Sequence, residues 1–358
     1  LNQEQNIAKI VEYLKILSES GTLMKKYLFL IAVLLLTTGF ASAQNSTGLI
    51  AFSSDATKED KQQIFIMDSK GDNVIQVSHI KGLDCYAPKF SPDGRKIVFN
   101  ATDIISDYIY MVDLDDTSTF SFPKFIDGGT NPWFSPDGKS LVYRAEKNDD
   151  NAIFIMDLTT DSSYSVSDGS LSTHPQFSKD GTKVVYSSSA NENFDLVVLN
   201  LEDTSENAQK TIASTKDAEL YGTFSPSGNL IAYSAFDINY KGAVHIYNSE
   251  TKSNKTVTSG GSAYNPKFSP DGKYLAFVWD KAGDFEVYIC KTDGSGLKQL
   301  TSKKGKTIEF DWSPDSKKIA YESITDDLSS ITVIDLESGK KENLTGEKAN
   351  NINPSFQK

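Results

Sequence analysis

Three histidines, two cysteines and a carboxylate recurring about every 44 residues are the side chains of this 358-residue sequence best suited to chemistry. The carboxylate belongs to a repeated phrase of aromatic residue, Ser, Pro, Asp and Gly. It occurs as Phe90-Ser91-Pro92-Asp93-Gly94, Phe134 to Gly138, Phe177-Ser178-Lys179-Asp180-Gly181, Phe224-Ser225-Pro226-Ser227-Gly228, Phe268 to Gly272 and Trp312-Ser313-Pro314-Asp315-Ser316. Pro presets φ for the second position of a turn, Asp or Ser tolerates the bridge region, and Gly takes the left-handed position that closes a short hairpin loop. Asp93, Asp137, Asp180, Asp271 and Asp315 therefore read as turn residues rather than as catalytic acids or metal ligands. Ser316 replaces Gly at the strained position, at some cost.

The other candidates are dispersed. His79, His174 and His245 lie in different repeats without the paired spacing of a transition-metal site. A serine-hydrolase elbow needs Gly-x-Ser-x-Gly, and the nearest stretches, Gly260-Gly261-Ser262-Ala263-Tyr264 and Gly294-Ser295-Gly296, lack the second spaced Gly. Gly305-Lys306-Thr307 has Leu300 where a phosphate-binding loop needs Gly. Asp113-Leu114-Asp115-Asp116 lacks the spacing of a dedicated Ca²⁺ loop. Cys85 and Cys290, 205 positions apart, read as two separate buried thiols. No cofactor is expected.

The elements that carry the phrase explain its period. Successive phrase aromatics are 44, 43, 47, 44 and 44 residues apart, and Asn353-Pro354-Ser355-Phe356 follows Trp312 by another 44. Each turn leads into a short apolar run such as Lys96-Ile97-Val98-Phe99 or Ser140-Leu141-Val142-Tyr143, the pattern of a strand buried on both faces. A third strand ends near Asp, as in Ile109-Tyr110-Met111-Val112-Asp113. A more polar fourth, such as Leu297 to Thr301 or Lys341 to Thr345, reads as an outer edge. Four strands per 44 residues is one blade of a β-propeller.

The segment Gly48-Leu49-Ile50-Ala51-Phe52 has the pattern of a second strand without a first, and Pro354 to Phe356 that of a first without a second. Second strands and first strands each number seven. The expectation is an all-β, seven-bladed propeller of four-stranded antiparallel blades, residues 44–358, with its two ends sharing one blade. Six or eight blades are the alternatives.

Upstream, Met24-Lys25-Lys26, an apolar run from Tyr27 to Phe40 and Ala41-Ser42-Ala43 have the make-up of a secretory signal peptide spanning residues 24–43, with cleavage after Ala43. The apolar run, 14 residues, is short of the roughly 20 that cross a bilayer as a helix. Residues 1–23 read as an upstream non-native or disordered segment. A periplasmic or secreted location without stable membrane insertion is expected. Without residues 1–43 the chain carries 32 basic and 45 acidic side chains. Such a surface repels phosphate backbones and anionic lipid, which argues against nucleic acid. With only Arg95 and Arg144, planar forks for bidentate phosphate recognition are few.

The phrase, followed by strands such as Lys-Ile-Val-Phe and Ile-Tyr-Met-Val-Asp, resembles the WD-like repeats of the TolB propeller family and of prolyl oligopeptidase-type propellers. The resemblance covers residues 48–358 and implies the fold, not an activity. The residue three before each phrase aromatic is expected at the start of an innermost strand, so Ala87, Asn131, His174, Tyr221, Asn265, Glu309 and Asn353 would circle one mouth of the channel. Tyr86, Trp133 and Tyr264 lie nearby as anchors or as packing between blades. The expected function is a non-catalytic binding or scaffold role in the bacterial envelope, with a protein or peptide partner at this mouth. The alternatives are a metal-dependent lyase of the oligogalacturonide type or a hydrolase, with His174 facing the channel, and a propeller subunit that partners a separate peptidase.

Overall fold

A computed structural model describes Gly48–Lys358, apart from residues 58–60, 104, 116–123, 148–149, 168–169, 192, 206, 303–305, 326–327 and 347. The expected signal peptide, its cleavage site and the segment before it lie outside the described residues. Seven four-stranded antiparallel sheets follow one another as the blades of a propeller. Blade 1 contains Asn351–Phe356, Ile50–Ser54, Gln63–Met67 and Ile75–Gln76 in that order. The innermost strands of blades 2 to 7 are Asp84–Phe90, Gly129–Phe134, Ser172–Phe177, Ala218–Phe224, Ala263–Phe268 and Phe310–Trp312.

Blade 1 joins the two ends of the ring. Ile50 pairs with Phe356 and Ser54 with Asn351, and a clamp follows the last pair: the Asn350 amide and side chain donate to the two Asp55 carboxylate oxygens at 2.8 and 2.9 Å. At the other end of the same pair of strands the Gln357 amide donates to Leu49 O at 2.8 Å. This closure removes an unpaired sheet edge.

The second strands are the most buried, because both of their faces meet a neighbouring blade. Ile97, Val98, Phe99 and Ala101 of blade 2 are fully enclosed, as are Leu275 to Val278 of blade 6. Core clusters accordingly lie between blades: Phe134, Leu141 and Tyr143 of blade 3 pack with Val98, Ile109 and Met111 of blade 2. Phe134, Phe224, Phe268, Trp312 and Phe356 enter such clusters and Phe177 packs against one, and each in turn fixes its blade against the preceding one.

The repeated Asp closes the turn. Ser135 Oγ donates to Asp137 Oδ1 at 2.6 Å, the Lys139 amide donates to the same oxygen at 3.0 Å, and the Ser140 amide donates to Ser135 Oγ at 2.9 Å. Asp93, Asp180, Asp271 and Asp315 accept from their own serines in the same way. The Ser178 hydroxyl, helped by Thr182, holds the Asp180 carboxyl down at about 2. These carboxylates are occupied by the turn, as their type and position predict. Ser316 adopts φ 61° in the glycine position. Its hydroxyl accepts from the Asp271 amide of the preceding blade at 3.0 Å, a contact that offsets the strain.

A second device recurs where the third strand begins. The amides of Ile64, Ile153, Val244, Val287 and Ile331 donate to Ser78, Ser167, Thr258, Thr301 and Thr345, each 14 residues downstream, at 2.7 to 3.0 Å. A hydroxyl there satisfies a backbone group that the short outer strand does not reach.

Cys85 and Cys290 are free and buried, as expected, and burial pushes both thiols up to about 12.

Candidate functional site

The candidate mouth residues do not stand at the start of the innermost strands. In blades 1 to 6 they lie within those strands, at a β-bulge. Ala87, Asn131, His174, Tyr221, Asn265 and Asn353 all have φ between 52° and 59°. At each, the register slips: Tyr86 pairs with Asn100 but Lys89 with Val98, so two residues oppose one, and the same happens between Thr130 and Trp133 and between Leu220 and Thr223. Positive φ is tolerated by Asn and His but is costly for Ala and Tyr.

The residue after each bulge explains the slip. It is Pro in blades 1, 2, 3, 4 and 6 and Gly in blade 5. Pro cannot donate to the ladder and is confined in sheets to edges and bulges. Blade 7 has Phe310 there, and its pairing runs without a slip from Phe310–Tyr321 to Trp312–Ile319. Glu309 consequently departs from the expected equivalence: it precedes its strand, and its backbone oxygen accepts from the Glu322 amide at 2.9 Å.

Even so, the bulges bring neighbours together around the axis. The rings of His174 and Tyr221 lie 4.2 Å apart, and Tyr221 lies 6.5 Å from Tyr264. Asn265 Nδ2 donates to Glu309 Oε2 at 3.0 Å, and the Ala87 amide donates to Asn353 Oδ1 at 3.3 Å. Asn131 is held by its amide, which donates to Asn100 Oδ1 of the preceding blade at 3.0 Å. Glu322 does for Asn353 what Asn100 does for Asn131, since its carboxylate accepts from the Asn353 amide. Ser53, Ser187 and Ser234 occupy the same second-strand position in other blades, and their shorter hydroxyls are buried without a partner.

Three site residues are electrostatically distinctive. Burial, assisted by Arg144, pulls the His174 imidazole down to about 4, so it is neutral at physiological pH, and its Nδ1 has no hydrogen-bond partner. Burial, with the Glu309 charge adding to it and the Ser329 hydroxyl and Asn353 amide opposing, pushes the Glu322 carboxyl up to about 7. Burial, with Glu309 next, pushes the Tyr264 phenol up to about 12.

Tyr264 packs edge-on against Phe285 of its own blade at 5.4 Å, and both lie against the apolar cluster shared by blades 6 and 7, so it serves packing between blades as well as the rim. Tyr86 is half-buried before its bulge, in electrostatic range of Asp107 and Arg144. Trp133 lies one layer deeper than the mouth, with Lys89 and Lys358 over its ring at 5.0 and 5.6 Å. That deeper layer was missed in the sequence. Lys89, Trp133, Gln176, Lys267 and Asp311 precede the phrase aromatics by one, and they vary between blades as much as the mouth residues do.

Metal chemistry finds no converging donor set: among the described residues no three His, Cys, Asp or Glu side chains are grouped to hold an ion. His174 packs on Tyr221, and His245 stacks on Tyr233 at 5.1 Å on the third strand of blade 5.

A family model for the TolB beta propeller domain matches residues 46–209 and 198–358. The chain belongs to this family. Curated relatives of the TolB-type propeller are distant and of mixed kind. It is 32% identical over 103 residues, 27% of this chain and 16% of the other, to the uncharacterized peptidase YuxL of Bacillus subtilis. It is 29% identical over 90 residues, 25% of this chain and 20% of the other, to a TolB homolog of Chlorobium chlorochromatii. The chain thus spans a fifth or less of the length of these two relatives. Among solved structures, an oligogalacturonate lyase in complex with manganese shares the fold at a TM-score of 0.63 and 15% identity, over 81% of this chain and 87% of that one.

Proposed function

We propose that this TolB-type propeller is a non-catalytic binding protein of the bacterial envelope that docks a protein or peptide segment at the channel mouth. One observation carries the reading. The three most exposed large apolar side chains among the described residues are Ile238 at 93%, Ile105 at 91% and Tyr240 at 86%, and all stand on hairpins at the mouth end of the ring.

The sheet register places them there. In blade 5 Ala218, at the start of the innermost strand, pairs with Phe236, which pairs with Gly242, and the intervening hairpin holds Ile238 and Tyr240. In blade 2 Asp84 pairs with Thr102 and Thr102 with Asp107, which puts Ile105 at the same end. The opposite end carries the Ser-Asp turns, with their charged and polar side chains. Exposed aromatic and aliphatic groups around a partly aromatic mouth suit a partner that buries them. The secretory pattern of residues 24–43 supports an envelope location for that partner.

The test is recovery of partners from an envelope extract on wild type and on the double variant Tyr221→Ala and Glu309→Ala. A partner lost from the variant supports docking at the mouth. Equal recovery of every partner contradicts it.

A further inference from the structure

Below the mouth, one residue past each bulge, lies a layer whose charges face one another. Lys267 and Asp311 there are already engaged. Lys267 Nζ lies 3.4 Å from Glu309 Oε2 and also donates to Phe310 O, while Asp311 Oδ2 accepts from the Phe356 amide at 3.0 Å. Lys89, on blade 2, has neither an ion-pair nor a hydrogen-bond partner among the described residues. Its ammonium rests over the Trp133 ring, and it is in electrostatic range of Lys267, Asp311 and Glu309 on blades 6 and 7 and of Lys358. Charges from blades 2, 6 and 7 sense one another only because they share the channel. Burial and then the Lys267 charge pull the Lys89 ammonium down to about 8. A cation held in low dielectric with no carboxylate in ion-pair contact is costly to the fold, and a carboxylate in direct contact is the group that relieves it.

Blade 4 supplies the complementary half. Gln176 Oε1, in the same layer, and His174 Nδ1, at the mouth above it, are buried without partners. An amide oxygen accepts hydrogen bonds, and Nδ1 does so in the tautomer whose proton is on Nε2. The two unpaired groups on blade 4 can thus accept from a ligand, while the one on blade 2 donates. A polyanion such as nucleic acid is disfavoured by the −12 net charge of the chain, and a single free ammonium matches a single carboxylate.

We propose that the channel below the mouth binds an acidic side chain of an extended peptide, its carboxylate on Lys89 and its backbone N–H groups toward Gln176 and His174. This rests on the docking reading above and specifies the chemistry of the docked segment.

The test is fluorescence anisotropy of two labelled, C-terminally amidated peptides, Gly-Gly-Glu-Gly-Gly and Gly-Gly-Gln-Gly-Gly, with digalacturonate as a third probe. The Glu peptide is expected to bind at least about tenfold tighter than the Gln peptide. Lys89→Met should bring the Glu peptide to the affinity of the Gln peptide, and Lys89→Arg should keep the preference. Equal binding of both peptides to wild type overturns the inference while leaving docking intact, and needs no variant to fold. Binding of neither peptide also overturns the inference, and the docking reading then stands or falls on the envelope recovery alone. Tighter binding of digalacturonate than of the Glu peptide, lost in Lys89→Met, also overturns the inference and reassigns the channel to an acidic sugar.

Discussion

Among single residues, Glu322 carries the clearest consequence of the ring's geometry. It reaches from blade 7 to the bulge amide of blade 1, it is only 5% exposed, and burial raises its pKa to about 7. A carboxyl whose folded pKa lies above its unfolded value favours the fold below the unfolded value, near 4.5, and that advantage is lost as pH rises through about 7. The charged form then costs at most about 3 kcal/mol. Glu322→Gln is therefore expected to raise the unfolding temperature at pH 8 and to leave it unchanged at pH 4, as read by thermal unfolding across that range. A variant less stable than wild type at pH 8 would show that the Asn353 and Ser329 contacts outweigh the buried charge. Sequence could not reveal this residue. Asn100, Glu322 and three serines share one position, and that only Asn100 and Glu322 reach the bulge amide is visible only once the facing bulge is known.

At the level of strands and turns, the repeat was legible because its physics is local. Pro, Asp and Gly at fixed offsets specify a turn, and four enclosed apolar residues specify a second strand, so the seven blades and their shared closing sheet follow from spacing. The bulges were not read, although their signal was present: Pro88, Pro132, Pro175, Pro266 and Pro354 sit inside strands where a ladder donor is otherwise needed. Missing that signal placed the mouth residues at the strand starts and made Glu309 their equivalent, which blade 7, with Phe310 in place of Pro, does not support. The hydroxyl that caps five of the third strands was missed too, because its partner lies 14 residues away across an irregular connection. Thr258→Val keeps the shape of that side chain and removes its acceptor, leaving the buried Val244 amide unsatisfied. A loss of about 1–3 kcal/mol in chemical denaturation is expected. Thr251→Val, on the exposed turn before the outer strand, should cost much less.

The whole molecule presents two unlike ends. One carries polar turns whose carboxylates are consumed by their own loops. The other gathers the bulges, the His174–Tyr221 pair, the exposed Ile105, Ile238 and Tyr240, and a channel layer with a free lysine beneath. A ring of seven blades fixes these groups relative to one another, so a partner docking as proposed would meet a preorganised surface and lose little to ordering. Which end would be used was beyond sequence reasoning, since the exposed apolar residues fall on hairpins outside the repeated phrase. The most direct test places a photo-crosslinking phenylalanine analogue at Tyr240, on the mouth end, or at Tyr164, on the outer strand of blade 3, and irradiates the protein in intact envelopes. The account predicts a discrete adduct from position 240 that position 164 does not give. Adducts from position 164 alone, or the same adducts from both, would contradict docking at the mouth.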